Sequence, residues 1–155
     1  DESLKMCLVT KNHSDQPQLL TQALHSYFNV GDYRDLKIDE LDGLEYIDKL
    51  DDFVTKQQQG VFVANAEVDR IYKHRHQLSI KDPLLKRQIV IEKKGSGSTV
   101  VWHPASSYRE YGIGEHWSGF ICVEAANTEY EQITLAAKQS CELQQSIKIL
   151  PFSEV

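Results

Sequence analysis

Positive charge is in short supply: 17 Lys and Arg stand against 23 Asp and Glu, for a formal net charge of -6. The mean field of such a chain repels a polyphosphate backbone and argues against a nucleic-acid partner. Long apolar runs are missing as well. No stretch approaches the roughly 20 residues that a membrane-crossing helix needs, so no membrane partner is expected. The opening Asp-Glu-Ser-Leu-Lys-Met has neither the basic nor the apolar region of a secretory signal, and a soluble, cytoplasmic protein is expected. Cysteine is scarce. Cys7, Cys122 and Cys141 form no Cys-x-x-Cys pair, and an odd number fits reduced, packed thiols better than a disulfide framework. Asn12-His13-Ser14 has the form of a glycosylation acceptor, which has meaning only in a secreted chain.

Sustained helical periodicity is absent too, and what stands in its place is strand-like. Residues 3–11 alternate, with Leu4, Met6 and Leu8 on one side and Lys5, Cys7 and Val9 on the other. This pattern starts almost at residue 1 without a lead-in, which suggests sheet neighbours further upstream. Further strands are expected at 60–64, 68–72, 77–81, 87–93, 99–102, 119–126 and 141–150, most of them separated by Gly, Asn, Asp, Ser or Pro. Ile89-Val90-Ile91 and Thr99-Val100-Val101 flank Gly95-Ser96-Gly97-Ser98 and read as a hairpin. Helical turns find room only at 21–27, 44–53 and 106–111. With 155 residues the chain can bury one core, and many short strands between turns predict an all-β, antiparallel sandwich.

Chemistry concentrates in a few places. In Gly119-Phe120-Ile121-Cys122-Val123-Glu124-Ala125-Ala126-Asn127, alternation sets Glu124 on one face with Phe120, Cys122 and Ala126. A carboxyl projecting from so apolar a face resists ionisation, which raises its pKa toward that of a general base working near neutrality. The plainer alternative is an edge position, where Glu124 reaches solvent or pairs with an arginine. His25 lies among aromatic and apolar neighbours in Ala23-Leu24-His25-Ser26-Tyr27-Phe28, and imidazole is suited to donate a proton at physiological pH. A lone histidine there is also an ordinary structural residue. Asp69, in Val68-Asp69-Arg70-Ile71-Tyr72, is a carboxylate able to accept sugar hydroxyls or to pair locally with Arg70 or Arg75. His74 and His76 share one side of an extended chain, as two metal ligands could, but no third ligand accompanies them, so no metal site is expected.

Three stretches, Ala23-Leu24-His25-Ser26-Tyr27-Phe28-Asn29-Val30-Gly31-Asp32, Val68-Asp69-Arg70-Ile71-Tyr72 and Phe120-Ile121-Cys122-Val123-Glu124-Ala125, occur in the order found in hexose-6-phosphate mutarotases. Gly43-Leu44 with Tyr46-Ile47-Asp48-Lys49, and Val100-Val101-Trp102 with Pro104, add to this resemblance to the glucose-6-phosphate 1-epimerases of the aldose 1-epimerase, or galactose mutarotase-like, superfamily. The resemblance implies that residues 1–155 form the C-terminal portion of one large β-sandwich domain whose upstream part is missing. It implies an isomerase that interconverts the α and β anomers of a hexose 6-phosphate without a cofactor, with a small sugar or sugar phosphate as its partner. Glu124 would be the base, His25 the acid and Asp69 a substrate-binding residue. The resemblance also places the arginines that hold a substrate phosphate upstream of this chain.

Two departures from the family pattern stand out. His103 replaces the Asn expected before Pro104, and Ala136-Ala137-Lys138 lacks a common Pro-Gly turn. A second reading is a non-catalytic carbohydrate-binding or regulatory sandwich, although binding alone has no need of a matched acid and base. A third is a cupin-like metal enzyme using His74 and His76. The isolated 155-residue piece is expected to be inactive by itself and prone to self-association, because missing strands leave sheet edges and core faces uncovered.

Overall fold

The computed structural model describes residues 3–151, and among these the chain forms thirteen strands, numbered here in chain order. Every ladder is antiparallel. One four-stranded sheet has the order β1 (Leu4–Lys11), β13 (Ser140–Pro151), β9 (Arg87–Lys94), β8 (Leu78–Asp82). A seven-stranded sheet runs from β3 (Gln22–Leu24) and β4 (Tyr27–Asn29), both on β11 (Phe120–Asn127), through β10 (Ser98–His103), β7 (Val68–Tyr72) and β5 (Glu45–Asp48) to β6 (Val54–Gln57). A two-stranded ribbon joins β2 (Gln18–Leu20) to β12 (Ile133–Leu135).

The two large sheets share one core, which is why β-branched and aromatic residues alternate so regularly along their strands. Val101, Val123, Ile121, Tyr72 and Phe28 of the larger sheet pack with Leu78, Ile80, Ile89 and Ile91 of the smaller. Each such side chain contributes about 1.5–3 kcal/mol when taken fully out of water. The opposite face of the larger sheet carries a second, small apolar cluster of Ile71, Val100 and Ala126, with Ile47 against it, and this face holds the site described below. Apolar surface remains open elsewhere: Leu4 and Val9 of β1 are exposed, and an apolar groove of about 390 Å³ runs between Leu4, Met6, Phe28, Ile89 and Ile147.

Several local expectations change. Arg87–Lys94 and Ser98–His103 are strands, but they do not form a hairpin: β9 pairs with β13 and β8, while β10 pairs with β11 and β7. The Gly-Ser-Gly-Ser link is long enough to carry the chain from one sheet to the other. At Gly95 (φ +78°) a Cβ would stand 2.1 Å from the Glu142 carbonyl oxygen, so only glycine passes there. Residues 60–64 supply a single bridge, Ile38 to Phe62, instead of a strand. Residues 21–27 and 44–53 hold strands where helical turns looked feasible, whereas Ala105–Tyr111 does form a 3-10 segment. Asn12 is buried, and its amide Nδ2 donates to the carbonyls of Gln16, Leu135 and Ala136, so it is a structural clamp and not a modification site.

The segment lacking Pro-Gly keeps the turn that Pro-Gly would favour. Gln139 N–H donates to the Ala136 carbonyl at 3.1 Å, and Lys138 takes a left-handed φ of +61°. A side chain there is strained, and its exposed pairing with Asp15 adds little. Lys138→Gly is therefore expected to raise stability by about 0.5–1 kcal/mol, read as a higher urea midpoint with an unchanged slope.

Candidate active site

Cross-strand register assembles the site. Leu24 pairs with Ala125 and Tyr27 with Cys122, so β3 and β4 keep one register on β11, and His25 falls opposite Glu124. Val100 faces Glu124 on one side and Ile71 on the other, and Ile71 faces Ile47. The next row reads Tyr27, Cys122, Trp102, Asp69, and Lys49 joins it through its backbone N–H bond to the Asp69 carbonyl. Side chains on a strand alternate faces, so these two rows floor a single cleft. The cleft has a volume of about 740 Å³ and is lined by His25, Tyr27, Lys49, Asp69, Trp102 and Glu124 among others.

His25 and Glu124 meet directly: Nε2 lies 3.3 Å from Oε1, with the imidazole half-exposed at 49 % and the carboxylate only 7 % exposed. Tyr27 stacks on the His25 ring at 5.0 Å, and Trp102 meets it edge-on at 6.0 Å. Trp102 in turn meets Tyr111, brought in by the 3-10 segment, at 5.2 Å. This aromatic wall limits how far the imidazole can swing while leaving it open to the cleft.

Burial among Val100, Ile71 and Ala126 pushes the Glu124 carboxyl up to about 7; the negative charge of Asp69 acts in the same direction, and the Lys49 ammonium opposes both. Lys49 Nζ pairs with Asp69 Oδ2 at 2.7 Å, while the buried Asp69 Oδ1 has no hydrogen-bond partner. An acceptor left unused in a cleft wall is costly unless something outside the chain's own groups satisfies it.

All three carboxylate and imidazole side chains singled out in the sequence, His25, Asp69 and Glu124, line this cleft. Glu124 is on a central strand, not at an edge, and Asp69 pairs with Lys49, not with Arg70 or Arg75. Lys49 went unnoticed as a site residue because nothing local marks a lysine after Ile47-Asp48; only the neighbouring strand supplies its carboxylate. His74 and His76 do not line the cleft. His74 is buried with Nδ1 3.1 Å from Thr99 Oγ1, and burial, with Lys93 and His76 nearby, pushes it down to about 4. Among the described residues no group of three or more His, Cys, Asp or Glu side chains is placed to hold a metal ion.

The fold is thus an antiparallel β-sandwich with a carboxylate and an imidazole in contact on the floor of an open cleft. The sequence pattern of the aldose 1-epimerase family matches residues 1–148, and the chain belongs to that family. It is 31 % identical over 141 residues to a Cenchrus ciliaris protein provisionally named glucose-6-phosphate 1-epimerase, covering 87 % of this chain and 42 % of that one. An Escherichia coli K12 protein with the same provisional name is 30 % identical over 138 residues, covering 83 % of this chain and 45 % of its own. The chain thus spans less than half the length of these curated relatives. A crystal structure described as a mutarotase from Salmonella typhimurium superimposes with a TM-score of 0.81 at 25 % identity, over 95 % of this chain and 50 % of that one. An aldose 1-epimerase-like structure from E. coli K12, 15 % identical, has a TM-score of 0.74 over 97 % of this chain and 57 % of its own, a likeness of fold.

The raised carboxyl has a consequence for stability. Between about pH 4.5 and 7 the folded chain keeps a proton on Glu124 that the unfolded chain has already released, so unfolding free energy falls as pH rises through that window. Glu124→Gln removes this slope, and at pH 8 the variant is expected to exceed the wild type by on the order of 1–3 kcal/mol. Urea titrations of both proteins at a series of pH values measure it; parallel pH profiles would contradict the assignment.

Proposed function

We propose that this chain carries the acid and base of a mutarotase that interconverts the α and β anomers of a hexose 6-phosphate, with His25 as acid, Glu124 as base and Asp69 as acceptor for a sugar hydroxyl. The observation that carries the reading is the contact at 3.3 Å between a half-exposed imidazole and a buried carboxylate of raised pKa on one cleft floor. The phosphorylated substrate rests on the names of relatives about 30 % identical. The half-length match to those relatives supports reading residues 1–155 as the C-terminal portion of one larger sandwich that contributes other walls of the cleft.

The chemistry explains why the two side chains must stand side by side. The anomeric oxygen and the ring oxygen of a cyclic hemiacetal share one carbon, so groups that serve them are near neighbours. Ionised Glu124 takes the proton of the anomeric hydroxyl, the bond from C1 to the ring oxygen breaks, and protonated His25 delivers its proton to that oxygen. The open aldehyde turns about C1–C2 and presents its other face. On closure His25 recovers the proton from the attacking hydroxyl while Glu124 returns its own to the carbonyl oxygen, so the cycle ends with both groups as they began. Holding the sugar against both groups at once replaces an encounter of three partners by a single bound geometry. The free acceptor of Asp69 and its Lys49 partner offer one fixed point for a hydroxyl, and Trp102 offers an apolar surface for the sugar's C–H face.

Exchange NMR on the anomers of glucose 6-phosphate, using the full-length protein that contains this chain, tests the proposal. Glu124→Gln and His25→Gln are each expected to slow exchange by about 10²–10⁴-fold with sugar-phosphate binding retained. The acid limb of the wild-type kcat/KM profile is expected to rise with pH toward about 7 as Glu124 ionises, and Glu124→Gln should remove that limb. Wild-type exchange in Glu124→Gln would remove the base. Sugar-phosphate binding with exchange no faster than in buffer would leave a carbohydrate-binding protein in place of an enzyme.

A further inference from the structure

We propose that Gln145 and Ser26 are positioning residues for His25: a buried amide from the opposite sheet holds open the break in the strand that presents the imidazole to Glu124. The proposal rests on the reading of His25 as the acid and adds the device that aims it.

β3 and β4 are one strand by register, interrupted only at His25 and Ser26. At the interruption Ser26 N–H turns back to the Leu24 carbonyl at 3.0 Å, leaving the ladder with β11. The Val123 carbonyl of β11 faces this gap. It accepts a hydrogen bond at 3.0 Å from Gln145 Nε2, and the Ser26 hydroxyl donates to Gln145 Oε1. Gln145 therefore stands in for a backbone group, filling the ladder from the side where the core lies.

Its surroundings make the placement informative. Alternation along β13 puts Gln145 on the same face as Leu143 and Ile147, both packed in the apolar core, and Gln145 is itself fully buried. A primary amide in such a stripe costs free energy unless both ends are bonded, and an aliphatic side chain would serve the core as well. Both ends are bonded, one to β11 and one to the break beside His25. Without the strut, the buried Val123 carbonyl loses its donor, and satisfying it favours drawing the Ser26 N–H away from Leu24 and onto Val123 as a regular ladder. That would straighten the bend and shift His25 relative to Glu124. The contacts of the ring with Tyr27 and Trp102 restrain its tilt but leave its backbone free to move.

In the full-length protein, Ser26→Ala and Gln145→Leu are expected to lower kcat for anomer exchange about tenfold or more while KM stays within about twofold; Ser26→Thr, which keeps the hydroxyl, should hold most of the rate. A second readout needs no turnover. In the wild-type background Glu124→Gln should shift the His25 Cε1–H resonance, and in the Ser26→Ala and Gln145→Leu backgrounds that response should be lost. Wild-type kcat together with an intact His25 response in both variants would overturn the proposal. If Gln145→Leu fails to give a cooperative melt, Ser26→Ala decides alone, since it leaves the Gln145 bond to Val123 in place. If the wild type shows no exchange, the proposed function fails, and the resonance arm still tells whether the strut places His25.

Discussion

A slip of one residue between β11 and the strand formed by β3 and β4 would turn Glu124 out of line with His25, because successive side chains of a strand point to opposite faces. The site is a product of register held across five strands: His25 beyond β3, Glu124 on β11, Trp102 on β10, Asp69 on β7 and Lys49 just past β5. What holds the register is the other face of the same sheet. Val123 and Val101 are fully buried there, and a slip would drive the carboxylate into the core and an aliphatic side chain into the cleft. Packing on one side of the sheet thereby positions the chemistry on the other.

The same register settles the charge balance. Glu124 shares its row with Val100 and Ile71, which strip it of water, while Asp69 and Lys49 occupy the adjoining row. A carboxylate beside a second carboxylate would be driven far toward its neutral form. The lysine, 2.7 Å from Asp69, offsets part of that effect and leaves Glu124 able to ionise near neutral pH. Shifting Lys49 by one position would send its side chain to the opposite face of the sheet and leave the two acids to repel each other. The balance that sets the Glu124 pKa thus includes a cation that no local sequence signal announces.

The strands that pack on both faces were legible in the sequence because their apolar runs are unbroken, and β11 declared its carboxylate by contrast with its neighbours. Other features were hidden for reasons that are themselves structural. The chain around His25 resembles a turn of helix because its strand is broken where His25 is presented, and the partner that fills the break, Gln145, lies 119 residues away from Ser26. Residues flanking Gly95-Ser96-Gly97-Ser98 look like a hairpin since each is a good strand. Only the sheets' other strands decide that the link crosses the sandwich. Local composition reports how a segment is built; it does not report which neighbour a strand chooses.

His103 illustrates how a departure from the family pattern can leave the architecture intact. The imidazole is fully buried and stacked on Tyr33 at 3.7 Å, with Nδ1 accepting from Ala105 N–H at 3.0 Å and Nε2 placed to donate to the Trp117 carbonyl at 2.9 Å. A neutral ring protonated on Nε2 has one acceptor and one donor, the same pair that a side-chain amide presents. Burial holds the His103 pKa below its ordinary value and so favours this uncharged form. The acceptor end anchors Ala105, which has a left-handed φ of +42° at the entry to the 3-10 segment. That segment carries Tyr111 to its contact with Trp102 on the cleft wall. The imidazole therefore offers the donor and acceptor that an amide would, and the aromatic wall beside His25 is built on a buried histidine whose ring nitrogens are both engaged in backbone hydrogen bonds.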